Sequence, residues 1–225
     1  MERLIFDCDG VLVDSEAIAE ATLVERLSAW LPDIDIQVRL SEALGLTTEA
    51  ILERLETLSR HALPEDALGA IDQEIERRLA KELHAIDGVA EVIERLGMPM
   101  AVVSNSHRGR VRDSLAHTGL DALLDGAPIF CAEQVAYPKP DPAIYRLAAE
   151  TLEASAEHCL VVEDSVAGAS AARAAGMTVI GFTGASHVPP GQAKRLLDAG
   201  AWRVMGHMHE LPSLVTAWRK QRLSG

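Results

Sequence analysis

Short apolar runs alternate with longer stretches in which apolar residues recur every third or fourth position along the 225-residue chain. Leu4-Ile5-Phe6 is the first run, and Arg3 to Phe6 reads as a strand. After Asp14-Ser15 the period changes. Ala17, Ala21, Val24, Leu27 and Leu31 fall on one face of a helix that Ser15 can cap and Pro32 follows. A second helical stretch carries Ile51, Leu55 and Leu58, and a third carries Ile71, Ile75, Leu79 and Leu83. No strand pattern interrupts residues 15–85, which therefore read as a helical bundle inserted after the first strand.

Beyond that segment helices and strands alternate. Val89, Val92, Ile93 and Leu96 make a helix stripe closed by Gly97, and Met100 to Val103 is a strand ending in Ser104-Asn105-Ser106. A helix through Val111 and Leu115 stops at Gly119, and Pro128 to Cys131 reads as a further short strand. Helix Pro142 to Leu152 leads to strand Cys159 to Val162, which ends in Glu163-Asp164. Helix Val166 to Ala175, strand Thr178 to Ile180, helix Gln192 to Ala199, a strand near Arg203 to Met205 and a terminal helix through Leu211 and Trp218 complete the chain. This alternation predicts the α/β class, a Rossmann-like parallel sheet with helices on both faces. Residues 1–14 and 86–225 would form that core and 15–85 an α-helical cap, with hinges near Asp14 and near Ile86-Asp87-Gly88.

Composition narrows the function classes. The net charge is −13 and no basic run is long enough to neutralise a phosphate backbone, which argues against a nucleic-acid partner. No apolar run approaches a membrane span and no signal peptide opens the chain. Three cysteines, Cys8, Cys131 and Cys159, are odd in number and widely spaced, which fits neither a disulfide framework nor a zinc site. A reducing cytoplasmic setting is expected, as a monomer or small homo-oligomer.

Candidate chemistry lies at the strand ends, where open parallel sheets bind ligands. Asp7 and Asp9 follow the first strand, Ser104 another, Glu163 and Asp164 a third. Clustered carboxylates on a buried strand end need a compensating cation, and oxygen ligands suit a hard divalent ion such as Mg²⁺. Alternatives for single residues are helix capping for Asp7 and Asp9, a solvated loop lysine for Lys139, and a helix-start charge pair for Glu163-Asp164. His207-x-His209 reads as surface histidines, since no third ligand is evident. Trp202 and Trp218 read as packing for the terminal helix.

Together the residues resemble the haloacid dehalogenase-like superfamily, in its branch of phosphatases and sugar-phosphate mutases. The match runs from Phe6-Asp7-Cys8-Asp9-Gly10-Val11-Leu12-Val13-Asp14-Ser15 through Val103-Ser104-Asn105-Ser106 and Lys139-Pro140-Asp141-Pro142 to Val162-Glu163-Asp164-Ser165, Gly168 and Ala174-Ala175-Gly176-Met177. The resemblance implies that Asp7 is a nucleophile forming an aspartyl-phosphate and that Asp9 is the general acid, then base. Ser104 and Asn105 would contact the phosphoryl group and Lys139 would offset its charge. Asp7, the Asp9 carbonyl and Asp164 would hold Mg²⁺, with Glu163 ligating directly or through water. Cys8 and Gly10 belong to the phosphate-binding loop, Cys8 as a packing thiol between carboxylates. Glu16, Thr47 and Thr48 would face the leaving group. Arg77, Arg78 and Lys81 are read as solvated charges before substrate contacts.

Asp9 separates this chain from true dehalogenases, which lack the second aspartate, and favours phosphoryl transfer. The mutases typically carry a histidine where this chain has Ala19 and a cap arginine where it has Thr48. The expectation is therefore a Mg²⁺-dependent phosphatase of a small phosphorylated metabolite, similar to bacterial enzymes acting on phosphorylated sugars and sugar acids such as 6-phosphogluconate and on phosphoglycolate. A sugar-phosphate mutase is the alternative, and a phospho-aspartate signalling module without turnover a more distant one.

Overall fold

The computed structural model describes residues 1–42, 48–186 and 188–223. The chain divides into two compact units, Met1–Ser15 with Leu83–Gly225, and Glu16–Glu82.

The first unit is a parallel sheet wrapped by helices. Its strands are β1 (Arg3–Phe6), β2 (Met100–Ser104), β3 (Ile129–Cys131), β4 (Cys159–Glu163), β5 (Thr178–Phe182) and β6 (Arg203–Met205), in the order β3-β2-β1-β4-β5-β6. The chain winds outward from β1 in one direction and resumes at β4 in the other, so the switch point lies beside β1. Leu4, Ile5, Phe6 and Leu160, Val161, Val162 are all inaccessible to solvent. Such runs are buried on both sides, as parallel strands are when helices cover both faces. Ile5, Ala101, Val103, Val161 and Val179 share one face and pack with Ile144, Tyr145, Ala169, Ala172 and Leu196.

The second unit contains α1 (Glu16–Trp30), α2 (Ile36–Glu42), α3 (Thr48–Leu58) and α4 (Ala67–Glu82). Ile71, Ile75 and Leu79 form the buried stripe of α4, which contacts α1 and α3, where Leu27, Leu52 and Leu55 are buried as well. Three helical expectations are corrected here. Leu58 is 47% exposed, and Leu52 takes the buried position beside Leu55. Ala21 is exposed while Thr22 is buried, its hydroxyl donating back to the Ile18 carbonyl at 2.7 Å. Helix α2 has no counterpart in the sequence-based elements. The two arginines of α4 are engaged within this unit: Arg77 with Glu74, and Arg78 with Glu82 at 2.9 Å and Glu25 at 3.6 Å.

Seven further helices belong to the first unit: α5 (Val89–Leu96), α6 (Arg108–Thr118), α7 (Leu120–Leu123), α8 (Ala143–Thr151), α9 (Val166–Ala174), α10 (Gln192–Asp198) and α11 (Leu211–Leu223). The four-residue α7 was not foreseen. Trp218 is buried and its indole N–H donates to Thr178 Oγ1 at 3.2 Å, which fixes α11 against β5. The two crossings out of this unit run side by side: the Asp14 amide donates to the His84 carbonyl at 3.0 Å and the Ile86 amide to Leu12 at 2.9 Å.

Candidate active site

Strand register builds the site. Phe6 pairs with Val162 across β1 and β4, and the Asp7 amide continues the ladder to the Val162 carbonyl at 3.0 Å. Asp7 therefore emerges beside Glu163 and Asp164. On the other side Phe6 pairs with Val102, which brings Ser104 to the same end of the sheet.

Beyond β1 the chain turns tightly. The amides of Leu12 and Val13 both donate to the Cys8 carbonyl, and Gly10 closes the loop onto the Val13 carbonyl at 2.8 Å. Gly10 has φ 76°, and a Cβ built there would lie 2.1 Å from Asp164 Oδ2. Only glycine leaves room for the Asp164 carboxylate to lie against the 7–10 loop. Cys8 is buried in the loop, and burial with the adjacent Asp9 and Asp7 charges pushes its thiol well up.

Lys139 is the buried cation of the cluster. Its ammonium donates to Asp7 Oδ1 at 2.6 Å, to Glu163 Oε1 at 2.6 Å and to the Val103 carbonyl at 3.1 Å. Asn105 clamps the lysine backbone, accepting from its amide at 3.0 Å and donating to its carbonyl at 3.1 Å. The Lys139 ammonium is held above the ordinary lysine range: burial opposes the charge, but Asp7 and Glu163 outweigh it. Asp7 is raised above the usual carboxylate range by burial, with Lys139 pulling the other way.

Asp9 is held by hydroxyls. Ser15 donates to its Oδ1 at 2.8 Å, and Ser106 and Ser104 to its Oδ2 at 2.9 and 3.2 Å. Ser15, expected as a helix cap, thus directs its hydroxyl to Asp9. Ser106 stands in the second motif with no role in the sequence reading; a hydroxyl two residues after Ser104, just past the strand end, is the signal that could have found it. Tyr145 was also missed. It lies fully buried in α8, donates to Glu163 Oε1 at 2.8 Å, and is kept protonated by burial and the Glu163 charge.

Asp7, Glu163 and Asp164 each offer an oxygen within 4.8 Å of the others. Two of these carboxylates, Asp7 and Glu163, meet the Lys139 ammonium, and Asp164 and Asp9 bring two further negative charges to the strand ends, so the charge and oxygen donors of the site fit a hard divalent cation. Asp7, Cys8, Asp9, Gly10, Ser104, Asn105, Lys139, Glu163 and Asp164 are thus gathered at one end of the sheet. Glu16 and Thr48 begin helices of the second unit. Thr47 lies outside the described residues. His207 and His209 are exposed, the latter 3.8 Å from Glu91.

A parallel sheet with this acidic array gathered at its switch point is the arrangement of a hydrolase. Residues 4–182 match the haloacid dehalogenase-like hydrolase family, and the chain belongs to it. It is 30% identical over 198 residues to the 6-phosphogluconate phosphatase of Escherichia coli (strain K12), covering 84% of this chain and 86% of that one. It is 31% identical over 181 residues to the fructose-1-phosphate phosphatase of the same strain, covering 79% and 94%. A crystal structure of a family hydrolase from Deinococcus radiodurans R1, with bound phosphate and sodium, superimposes with a TM-score of 0.83 at 32% identity, covering 97% of this chain and 96% of that one. The protein is accordingly an enzyme. Among the described residues no helix is long and apolar enough to cross a membrane.

Proposed function

We propose that this hydrolase is a Mg²⁺-dependent phosphatase acting on a small phosphorylated sugar or sugar acid. The observation that carries the reading is the buried Asp7 carboxylate, 2.6 Å from the Lys139 ammonium, with a hydroxyl-held Asp9 two residues on. The phosphatase relatives that match most of the chain support the substrate class.

Asp7 would attack phosphorus through a carboxylate oxygen, forming an acyl-phosphate while the P–O bond to the sugar breaks. The leaving oxygen takes a proton from Asp9. In the second half Asp9 accepts a proton from water, which attacks phosphorus and releases inorganic phosphate, regenerating Asp7. Splitting the reaction in this way replaces one difficult displacement by two easier ones. Lys139 would offset charge on the transferring group, with Ser104 and Asn105 as the residues to contact its oxygens. Asp7, Asp164 and the Asp9 carbonyl would hold Mg²⁺, which when bound neutralises phosphoryl charge.

The test is phosphate release from a panel of sugar phosphates, 6-phosphogluconate and phosphoglycolate with Mg²⁺ present, and Asp7→Asn as control. Release by wild type and none by the variant is expected. Equal activity of the two removes the mechanism. Conversion of a sugar 1-phosphate to the 6-phosphate, primed by a bisphosphate, would make the enzyme a mutase. Ala19 and Thr48, at the places where mutases typically carry a histidine and a cap arginine, favour the phosphatase.

A further inference from the structure

Glu163 is the most enclosed charge among the described residues, inaccessible to solvent, and its acceptor capacity is already used. Oε1 accepts from Lys139 Nζ at 2.6 Å and from the Tyr145 hydroxyl at 2.8 Å. Oε2 accepts from the Ser165 hydroxyl at 2.9 Å and the Ser165 amide at 3.3 Å. A carboxylate offers about four lone-pair sites, and four donors occupy them here. A metal bond to Glu163 would displace one of these donors in a site closed to water, leaving it unsatisfied.

The donors are themselves fixed. The Gly168 amide donates to Ser165 Oγ at 3.0 Å, which leaves the hydroxyl proton of Ser165 for Glu163. The Tyr145 ring, packed in the core between α8 and the sheet, also lies 5.3 Å from the Lys139 ammonium and so meets both members of the ion pair. Asp164 differs from its neighbour: it is partly accessible and reaches over the side-chain-free Gly10 toward Asp7.

We infer that Glu163 and Tyr145 are positioning residues for Lys139, and that Glu163 stands outside the metal's ligand set, which falls to Asp7, Asp164 and the Asp9 carbonyl. The Tyr145 hydroxyl holds Glu163, and Glu163 holds the ammonium at the nucleophile. The kinetic consequence rests on the phosphatase reading, whereas the ligand assignment does not.

Mn²⁺, a hard oxygen-seeking ion with a paramagnetic signal, reads the ligand set directly when free ion is followed by electron paramagnetic resonance during titration of wild type, Glu163→Gln, Tyr145→Phe and Asp164→Asn. Asp164→Asn should weaken Mn²⁺ binding about tenfold or more. Glu163→Gln and Tyr145→Phe should stay within about threefold of wild type, while kcat for phosphate release falls about tenfold with little change in KM, the split expected when alignment in the transition state is lost. If Glu163→Gln loses Mn²⁺ as Asp164→Asn does, Glu163 is a ligand and the inference fails. Wild-type kcat in a folded Tyr145→Phe overturns the positioning role. Should Glu163→Gln not fold, Tyr145→Phe decides alone, because it removes one oxygen and keeps the ring: lost ion binding or unchanged kcat would each refute the inference. If wild type releases phosphate from nothing in the panel, the phosphatase reading fails while the Mn²⁺ titrations still settle the ligand set.

Discussion

Replacing Gly168 by alanine sets two opposed effects against each other. Gly168 is the third residue of α9, a helical position where alanine should gain up to about 1 kcal/mol over glycine. Yet a Cβ built there falls 1.8 Å from Glu163 Oε1, 2.0 Å from Cδ and 2.3 Å from Oε2. Ordinary contact needs about 3.5 Å, so the carboxylate must retreat by roughly 1.5 Å in an interior packed at crystal density. The 2.6 Å bond to Lys139 and the 2.8 Å bond from Tyr145 would not survive that shift. Breaking a buried ion pair costs about 3–5 kcal/mol, so the net expectation is a loss of about 2–4 kcal/mol. Urea unfolding, followed by tryptophan fluorescence and far-ultraviolet dichroism, should show a midpoint lower by about 1 M. The decisive arm is a double-mutant cycle with Glu163→Ala. With the carboxylate gone, alanine at 168 should cost nothing or stabilise slightly. A neutral or stabilising effect in the wild-type background, or the same penalty in both backgrounds, would refute the claim that Gly168 exists to make room for Glu163.

Two further outcomes are expected. The three cysteines are free and buried; burial holds the Cys131 thiol up at about 11 and raises Cys8 and Cys159 as well. Ellman's reagent at pH ~8 should therefore label none rapidly in the folded protein and all three in denaturant, and one fast native thiol would contradict the packing. In the helical unit, Glu74 is held down to about 2, first by its hydrogen bond from Arg77, against burial, then by Arg26. A carboxyl depressed in the folded state stabilises above its ordinary range and loses that contribution as pH falls through the depressed value. Thermal melts of Glu74→Gln should consequently differ from wild type near neutrality and converge toward about pH 2; a gap independent of pH would remove the ion pairs as its cause.

The strands were legible because a parallel strand buried on both faces is a continuous apolar run, and Leu4-Ile5-Phe6 and Leu160-Val161-Val162 are such runs. The long amphipathic helix α4 was legible because Ile71, Ile75 and Leu79 recur at every fourth position, enough for the period to stand out. Helices α2 and α7 span seven and four residues, too few for any period to be distinguished. The face of α3 was misjudged for a related reason. Ile51, Leu52, Leu55 and Leu58 support two overlapping stripes, and only packing in the helical unit selects Leu52 with Leu55.

At the site, the sequence could name the acids and the lysine but not their partners, because those partnerships are long-range. Lys139 lies 132 residues from Asp7, and Ser106 lies 97 from Asp9. Tyr145 is the sharper case. In the helix pattern it is one more large residue on an apolar stripe, and nothing local distinguishes an aromatic ring that fills space from one whose hydroxyl fixes a buried carboxylate. The distinction follows from topology: α8 packs against the face of the sheet carrying Val103 and Val161, directly beneath the ends of β2 and β4. A hydroxyl at that point meets Glu163 because Glu163, unlike the partly accessible Asp164, is fully buried. The acidic doublet that looks like one metal-binding pair in sequence therefore has two different settings, although an oxygen of each lies within 4.8 Å of the other. Asp164 lies partly accessible against Gly10, whereas Glu163 is closed to solvent and accepts from a lysine ammonium and a phenol. That difference in burial and in donors argues that Glu163 and Asp164 do different work.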